Sequence, residues 1–139
     1  MQSYEQKGKV NINKNLSSPS NALFKIDYQG RWYYKDSQIK KESLIKLFGN
    51  ILRYDKGEYY LVTPLERQKI EVDDVPFIIN SMEILKQEKL QKINFITNLD
   101  VVVKCGKDNP VIMKADSNDQ NIPYLNMGFG LSARISRTV

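Results

Sequence analysis

The 139-residue chain is 41% hydrophobic and 27% charged and carries a formal charge of +5, a balance that fits one folded domain, or two small interlocked ones, and excludes a disordered chain. It has no histidine and one cysteine, Cys105, which removes intrachain disulfides, Ser-His and Cys-His nucleophile pairs and nearly all zinc sites. Carboxylates, lysine or tyrosine remain available for acid and base work, so an enzyme is disfavoured rather than excluded.

Residues 1–22 are rich in Asn, Lys, Gln and Ser and have almost no apolar periodicity, which predicts a flexible arm. From Leu23 the pattern changes. Phe24, Ile26 and Tyr28 alternate with polar residues, Gln29-Gly30 supplies a turn and Arg31-Trp32-Tyr33-Tyr34 resumes an aromatic strand, so a short β-hairpin is expected; Trp32 and Tyr34 share one face, which is read as core, although a guanidinium among aromatics also suits nucleic-acid stacking. Ile39, Leu44, Ile45, Leu47, Phe48, Ile51 and Leu52 then recur at helical spacing. That spacing predicts a helix with Ser37 as N-cap, ended by Asp55-Lys56-Gly57.

Strands are expected at 58–63, stopped by Pro64, and at 68–72. Further β structure is predicted at 77–85, 90–97, 101–104, 111–115, 123–127 and 131–135, with turn chemistry at 106–110 and 116–122. The chain thus reads as α+β, β-rich with one main helix: an arm over 1–22, an α/β half over 23–72 and a β-rich half over 73–139. Direct comparison of the two halves discloses no sequence repeat. No apolar window approaches a membrane span and no leader pattern is visible, so a cytoplasmic protein is expected.

Charge is uneven. Residues 1–70 hold 13 Lys and Arg against 7 acids, a net +6, and residues 71–139 hold 8 against 9, a net −1. A basic half attracts nucleic acid, nucleotides or anionic lipid, although scattered solubilising lysines give the same total.

Polar residues cluster at predicted strand ends beside prolines. Thr63 and Glu66 are placed to contact a ligand's polar groups and Asp74 to accept from backbone amides or an arginine, or else these residues cap turns. Glu71, Asp73 and Asp74 lack the loop pattern of a calcium site, and Gly128-Phe129-Gly130 completes no phosphate-loop motif. No metal, cofactor or catalytic residue is assigned on these patterns, and Cys105 is expected to be a partly buried thiol.

Taken in order, IDYQGRWYY at 26–34, LIKLFGNILR at 44–53, YYLVTPLE at 59–66, VDDVPF at 72–77, FITNLD at 95–100 and PYLNMGFGLSAR at 123–134 resemble the bacterial family of domain of unknown function DUF1285. The resemblance implies two small α/β halves of related fold, the second superficially like a pleckstrin-homology domain, with a groove between them. It also implies a nucleotide- or nucleic-acid-based ligand and a part in signal transduction. Carried over by position, it marks Trp32, Arg53, Tyr60, Thr63, Pro64, Glu66, Asp74, Pro76, Phe77, Asn98, Asp100, Tyr124 and Arg134. The chain departs from the family pattern at Gly128 and Phe129, where an arginine and a polar residue are expected.

Three readings follow. The first is a regulatory module whose groove takes an anionic ligand, with Arg53 for charge, Tyr60 and Phe77 for apolar or stacking contact, and Thr63, Glu66 and Asn98 for hydrogen bonds; Asp74, Tyr124 and Arg134 are placed at the same site without a separate role. The second is a protein-interaction domain that adds a partner peptide to a sheet edge. The third is a hydrolase using Glu66 or Asp74.

Overall fold

The structure, a computed structural model, describes residues 22–115, 118–137 and 139; nearly all of the expected arm lies outside them. Among the described residues, twelve strands form two six-stranded sheets, accompanied by one helix. The fold is α+β in two halves, as the residue pattern indicates.

In the first half, β1 (Phe24–Ile26), β2 (Trp32–Tyr34), β3 (Ser37–Gln38), α1 (Glu42–Asn50), β4 (Leu52–Asp55), β5 (Glu58–Val62) and β6 (Arg67–Val72) give the sheet order β3-β2-β1-β6-β5-β4. The second half comprises β7 (Phe77–Gln87), β8 (Leu90–Thr97), β9 (Val102–Lys104), β10 (Val111–Ala115), β11 (Asn121–Gly128) and β12 (Leu131–Ile135). Its order is β10-β11-β12-β7-β8-β9.

Read from the other edge, the second order is third, second, first, sixth, fifth, fourth, which is also the order of the first half. The first and last strands of each half pair in parallel, β1 with β6 and β7 with β12. All the other strand pairs are antiparallel. One topology is thus used twice, with α1 between the third and fourth strands of the first half and only residues 105–110 at the corresponding place in the second. Since β9 and β10 occupy opposite edges, so short a connection requires the second sheet to curl into a half-barrel. Gly106 and Asn109 bridge within that connection.

Two local expectations are corrected. Ser37 is no N-cap: it pairs with Tyr34 in β3 across a tight turn at Lys35 and Asp36, whose φ angles are +48° and +68°. The helix starts later, after Lys41, without a side-chain cap. It also ends earlier, at Asn50, because Leu52–Asp55 pairs residue for residue with β5. Lys56 and Gly57, at φ +51° and +87°, form the hairpin turn rather than a helix stop. Ile51 and Leu52 continue the helical spacing by coincidence; Leu52 is fully buried on the inner face of a strand.

One core spans both halves. Ile26, Trp32, Leu52, Leu61 and Ile70 from the first half join Phe77, Ile79, Leu99, Leu125 and Ala133 from the second half. Phe48 of α1 lies over Trp32, with ring centroids 5.8 Å apart, and meets Phe24 edge-on at 5.0 Å. Gly49 lets α1 approach the second half, since a Cβ there would stand 2.7 Å from Leu99. Among the described residues no helix is long and apolar enough to cross a membrane.

Candidate functional site

The halves lock together through the turn between β1 and β2. Asp27 builds that turn: its carboxylate accepts from the amides of Gln29 and Arg31 at 3.0 and 2.9 Å, and from Arg31 Nε at 2.7 Å and the Tyr33 hydroxyl at 3.0 Å. Burial by itself would raise the Asp27 carboxyl. The hydrogen bonds from Arg31 and Tyr33 outweigh it and hold the group below its ordinary value. Gly30, at φ +84°, brings the turn backbone onto the second sheet, where a Cβ would stand 2.8 Å from Ile78.

Asn98 fastens this contact. Its Oδ1 accepts from the Ile78 amide at 3.1 Å, and its Nδ2 points to the Gly30 carbonyl at 3.5 Å.

Beside it lies a buried charged network. Ile78, Arg134 and Tyr124 are register neighbours on β7, β12 and β11 and therefore share one sheet face. Arg134 Nη1 donates to Asp74 Oδ2 at 2.9 Å, Nη2 donates to the Tyr28 carbonyl at 2.5 Å, and the guanidinium stacks 3.8 Å from the Tyr28 ring centroid. The Tyr124 hydroxyl donates to the same carboxylate at 2.9 Å. Both charged side chains are about 10% exposed. At that depth the pair holds only because further hydrogen bonds complete it.

Tyr28 and Arg134 of this network, but not Asp74, Tyr124 or Asn98, reach an open cavity of about 580 Å³ between the halves, which Ile78, Ile122, Pro123 and Arg137 of the second half also line. Arg137 Nη2 donates to Gln120 Oε1 at 3.2 Å on the same rim. Lys114 lies 4.6 Å above the Tyr124 ring. The cavity combines an apolar floor, one aromatic face and two guanidinium groups, a set that suits a flat ligand carrying an anionic group.

Of the expected site residues, the structure brings Asp74, Tyr124 and Arg134 together and sets Asn98 next to them. Phe77 is buried in the shared core. Arg53, Tyr60, Thr63 and Glu66 sit elsewhere, and none lines this cavity. Arg53 Nη1 donates to the carbonyls of Asn50 and Leu52 at 2.9 and 2.7 Å. Tyr60 lies under the guanidinium of Arg67 at 3.8 Å, on the outer face of the first sheet. The Thr63 hydroxyl accepts from the amides of Leu65 and Glu66 and closes the turn into β6.

Tyr28 and Arg137 were not foreseen. Alternation ended at Tyr28 just before a turn, so nothing local distinguished it from a solvent-facing residue. Cys105 is exposed rather than partly buried, because it follows β9 at the turn into β10. Among the described residues no group of carboxylates and cysteine is arranged to hold a metal.

Residues 17–75 match the N-terminal domain, and residues 76–139 the C-terminal domain, of a family described as of unknown function, DUF1285. A crystal structure of a DUF1285 family protein from Silicibacter pomeroyi DSS-3 is 32% identical, with a TM-score of 0.75 over 84% of this chain and 64% of that one. A second, from Shewanella baltica OS155, is 27% identical, with a TM-score of 0.66 over 84% of this chain and 86% of that one. The chain therefore spans just under two thirds of the first of these relatives. No curated protein matches the sequence.

Proposed function

We propose, from the premise that this chain belongs to the DUF1285 family, that it is a ligand-binding regulatory module whose cavity between the halves takes an anionic, nucleotide-like ligand. The observation that carries the reading is that Tyr28, the Arg134 stacked on its ring and Arg137 line the same opening. Asp74 and the Tyr28 carbonyl fix the Arg134 guanidinium before any ligand arrives, so little side-chain entropy remains to be lost on binding. Arg137, on the rim, donates to Gln120 and has no carboxylate partner among the described residues, so its charge adds to that of Arg134. A part in signal transduction accords with a binding cavity that has no assigned catalytic group, and a cytoplasmic site of action accords with a lone exposed cysteine.

Calorimetric titration with nucleoside mono-, di- and triphosphates, inorganic phosphate and a short single-stranded RNA tests the reading at two salt concentrations. Binding of a nucleotide should weaken with salt and fall at least tenfold in Arg137→Ala and in Tyr28→Ala, while Thr63→Ala on the remote turn leaves it unchanged. Failure of every probe to bind at low salt, or binding indifferent to Arg137→Ala, would sink it.

A further inference from the structure

The fourth strands of the two repeated halves differ in a way that their shared topology makes conspicuous. In the first half β4 is blunted by charge, with Arg53 and Asp55 along it and Asp55 paired to Arg67 at 2.8 Å. In the second half the same edge position belongs to β10, whose Val111, Ile112 and Met113 are 44, 50 and 57% exposed. The other edges are shorter: β3 has two residues and β9 three. Exposed edges as long and apolar as β10 are ones that soluble proteins cover.

The phase of the ladder fixes which backbone groups β10 offers. The Asn126 amide donates to the Pro110 carbonyl at 2.9 Å, so those residues form a hydrogen-bonded pair and alternate pairs follow from it. Ile112 with Tyr124 and Lys114 with Ile122 exchange bonds inside the sheet. Val111, Met113 and Ala115 therefore direct their N–H and C=O groups outward. Pro123, opposite Met113, has no N–H to offer and fits this phase.

We propose that β10 pairs antiparallel with β10 of a second copy, about a two-fold axis at Met113, and so joins two half-barrels into one continuous sheet. In that register Val111 faces Ala115 of the second copy and Met113 faces itself, which satisfies all the outward groups with roughly six N–H···O bonds. The strand's one charged residue, Lys114, falls opposite Ile112 of the second copy and not opposite another lysine. Self-complementarity of this kind is what an isologous dimer requires, and it selects a second copy over a foreign strand, which nothing in β10 singles out by charge.

Sedimentation equilibrium of the full chain across a concentration series decides the matter. Mass should rise from that of the 16.1 kDa monomer toward twice that value. Ile112→Lys sets lysine against Lys114 of the second copy twice per dimer and should weaken association at least tenfold. Ile112→Glu, at the same half-exposed position, sets two opposite charges there and should tighten it several-fold, an advantage that high salt removes. Met113→Pro deletes an outward donor without touching a bond to β11 and should abolish the dimer, with circular dichroism confirming that the fold persists. A chain that stays monomeric into the millimolar range, or a dimer that Ile112→Lys and Ile112→Glu weaken alike, overturns the proposal.

Discussion

The ring of Tyr54, on β4, occupies the space that a Cβ on Gly130, in the turn between β11 and β12, would need. That turn therefore rests on the first half and cannot recede, because Tyr54 is itself braced edge-on by Tyr59 at 5.1 Å. Gly130 has φ +81° and Gly128 φ +94°, but nothing lies within 4 Å of a Cβ at Gly128. Gly128→Ala should cost about 1 kcal/mol, from backbone strain alone. Gly130→Ala should cost about 2–4 kcal/mol, since overpacking is added to the strain. Urea unfolding of the two variants separates these contributions.

Asp74→Ala strands the Arg134 guanidinium at a site about 10% exposed, where loss of one partner costs about 3–5 kcal/mol. Replacing both residues, Asp74→Leu with Arg134→Met, should recover most of that loss because no buried charge remains. Denaturation of the single and double variants gives the coupling directly. An additive result would show that the pair contributes little.

The Asp27 carboxyl is held below its ordinary value by Arg31 and Tyr33 against the opposing effect of burial. A folded-state value below the unfolded one contributes stability that is present above pH ~4 and is lost as pH falls through the folded value. Asp27→Asn should be less stable than the parent at pH 6, and the difference should shrink toward pH 2.5 in acid unfolding curves. Tyr59 has the opposite sign. Burial pushes its hydroxyl up to about 12, so its contribution is complete below pH ~10 and fades between there and about 12. Tyr33 is also raised, by its hydrogen bond to Asp27, so spectrophotometric titration should show a late tyrosine component that is reduced, not abolished, in Tyr59→Phe.

Trp32 is the chain's one tryptophan, 1% exposed, with an indole N–H that has no hydrogen-bond partner among the described residues. Its emission should be blue-shifted and should report the first half. Because the core is continuous and Gly30 is seated on Ile78, the fluorescence and far-ultraviolet circular dichroism transitions in urea should coincide. Separate midpoints would mean that the halves unfold independently.

Most strands were legible because each carries its own alternation or β-branched run, as at Glu58–Val62 and Leu90–Thr97. The turn at Lys35-Asp36 was not, because lysine is not a usual occupant of positive φ and no glycine marks the pair; β2 and β3 closing around it impose that conformation. The repeated topology was invisible for a related reason. Strand order follows from pairings between distant segments, and the two halves meet it with unrelated side chains. At the site, Asp74 was readable as an acceptor for an arginine, yet its partner stands 60 residues away and the register of β12 against β7 brings them together. Arg53 and Tyr60 shared the composition of a binding surface, but strand alternation turned both outward.

The parallel pairing of first and last strands in each half also sets a timetable. β1 waits for β6, and β7 for β12, before either sheet can close, so the contacts that complete each unit are the most distant within it. Loop closure must then be largely accomplished before those contacts repay it, which places refolding among the slow, millisecond-to-second β topologies rather than with helical bundles. During synthesis the first half can close as soon as β6 is available, whereas β7 to β11 must persist with an unsealed seam until β12 follows. β7, the first strand of this half to be made and the last to be sealed, is thus the edge left open longest at the stage when the chain is least able to shield it.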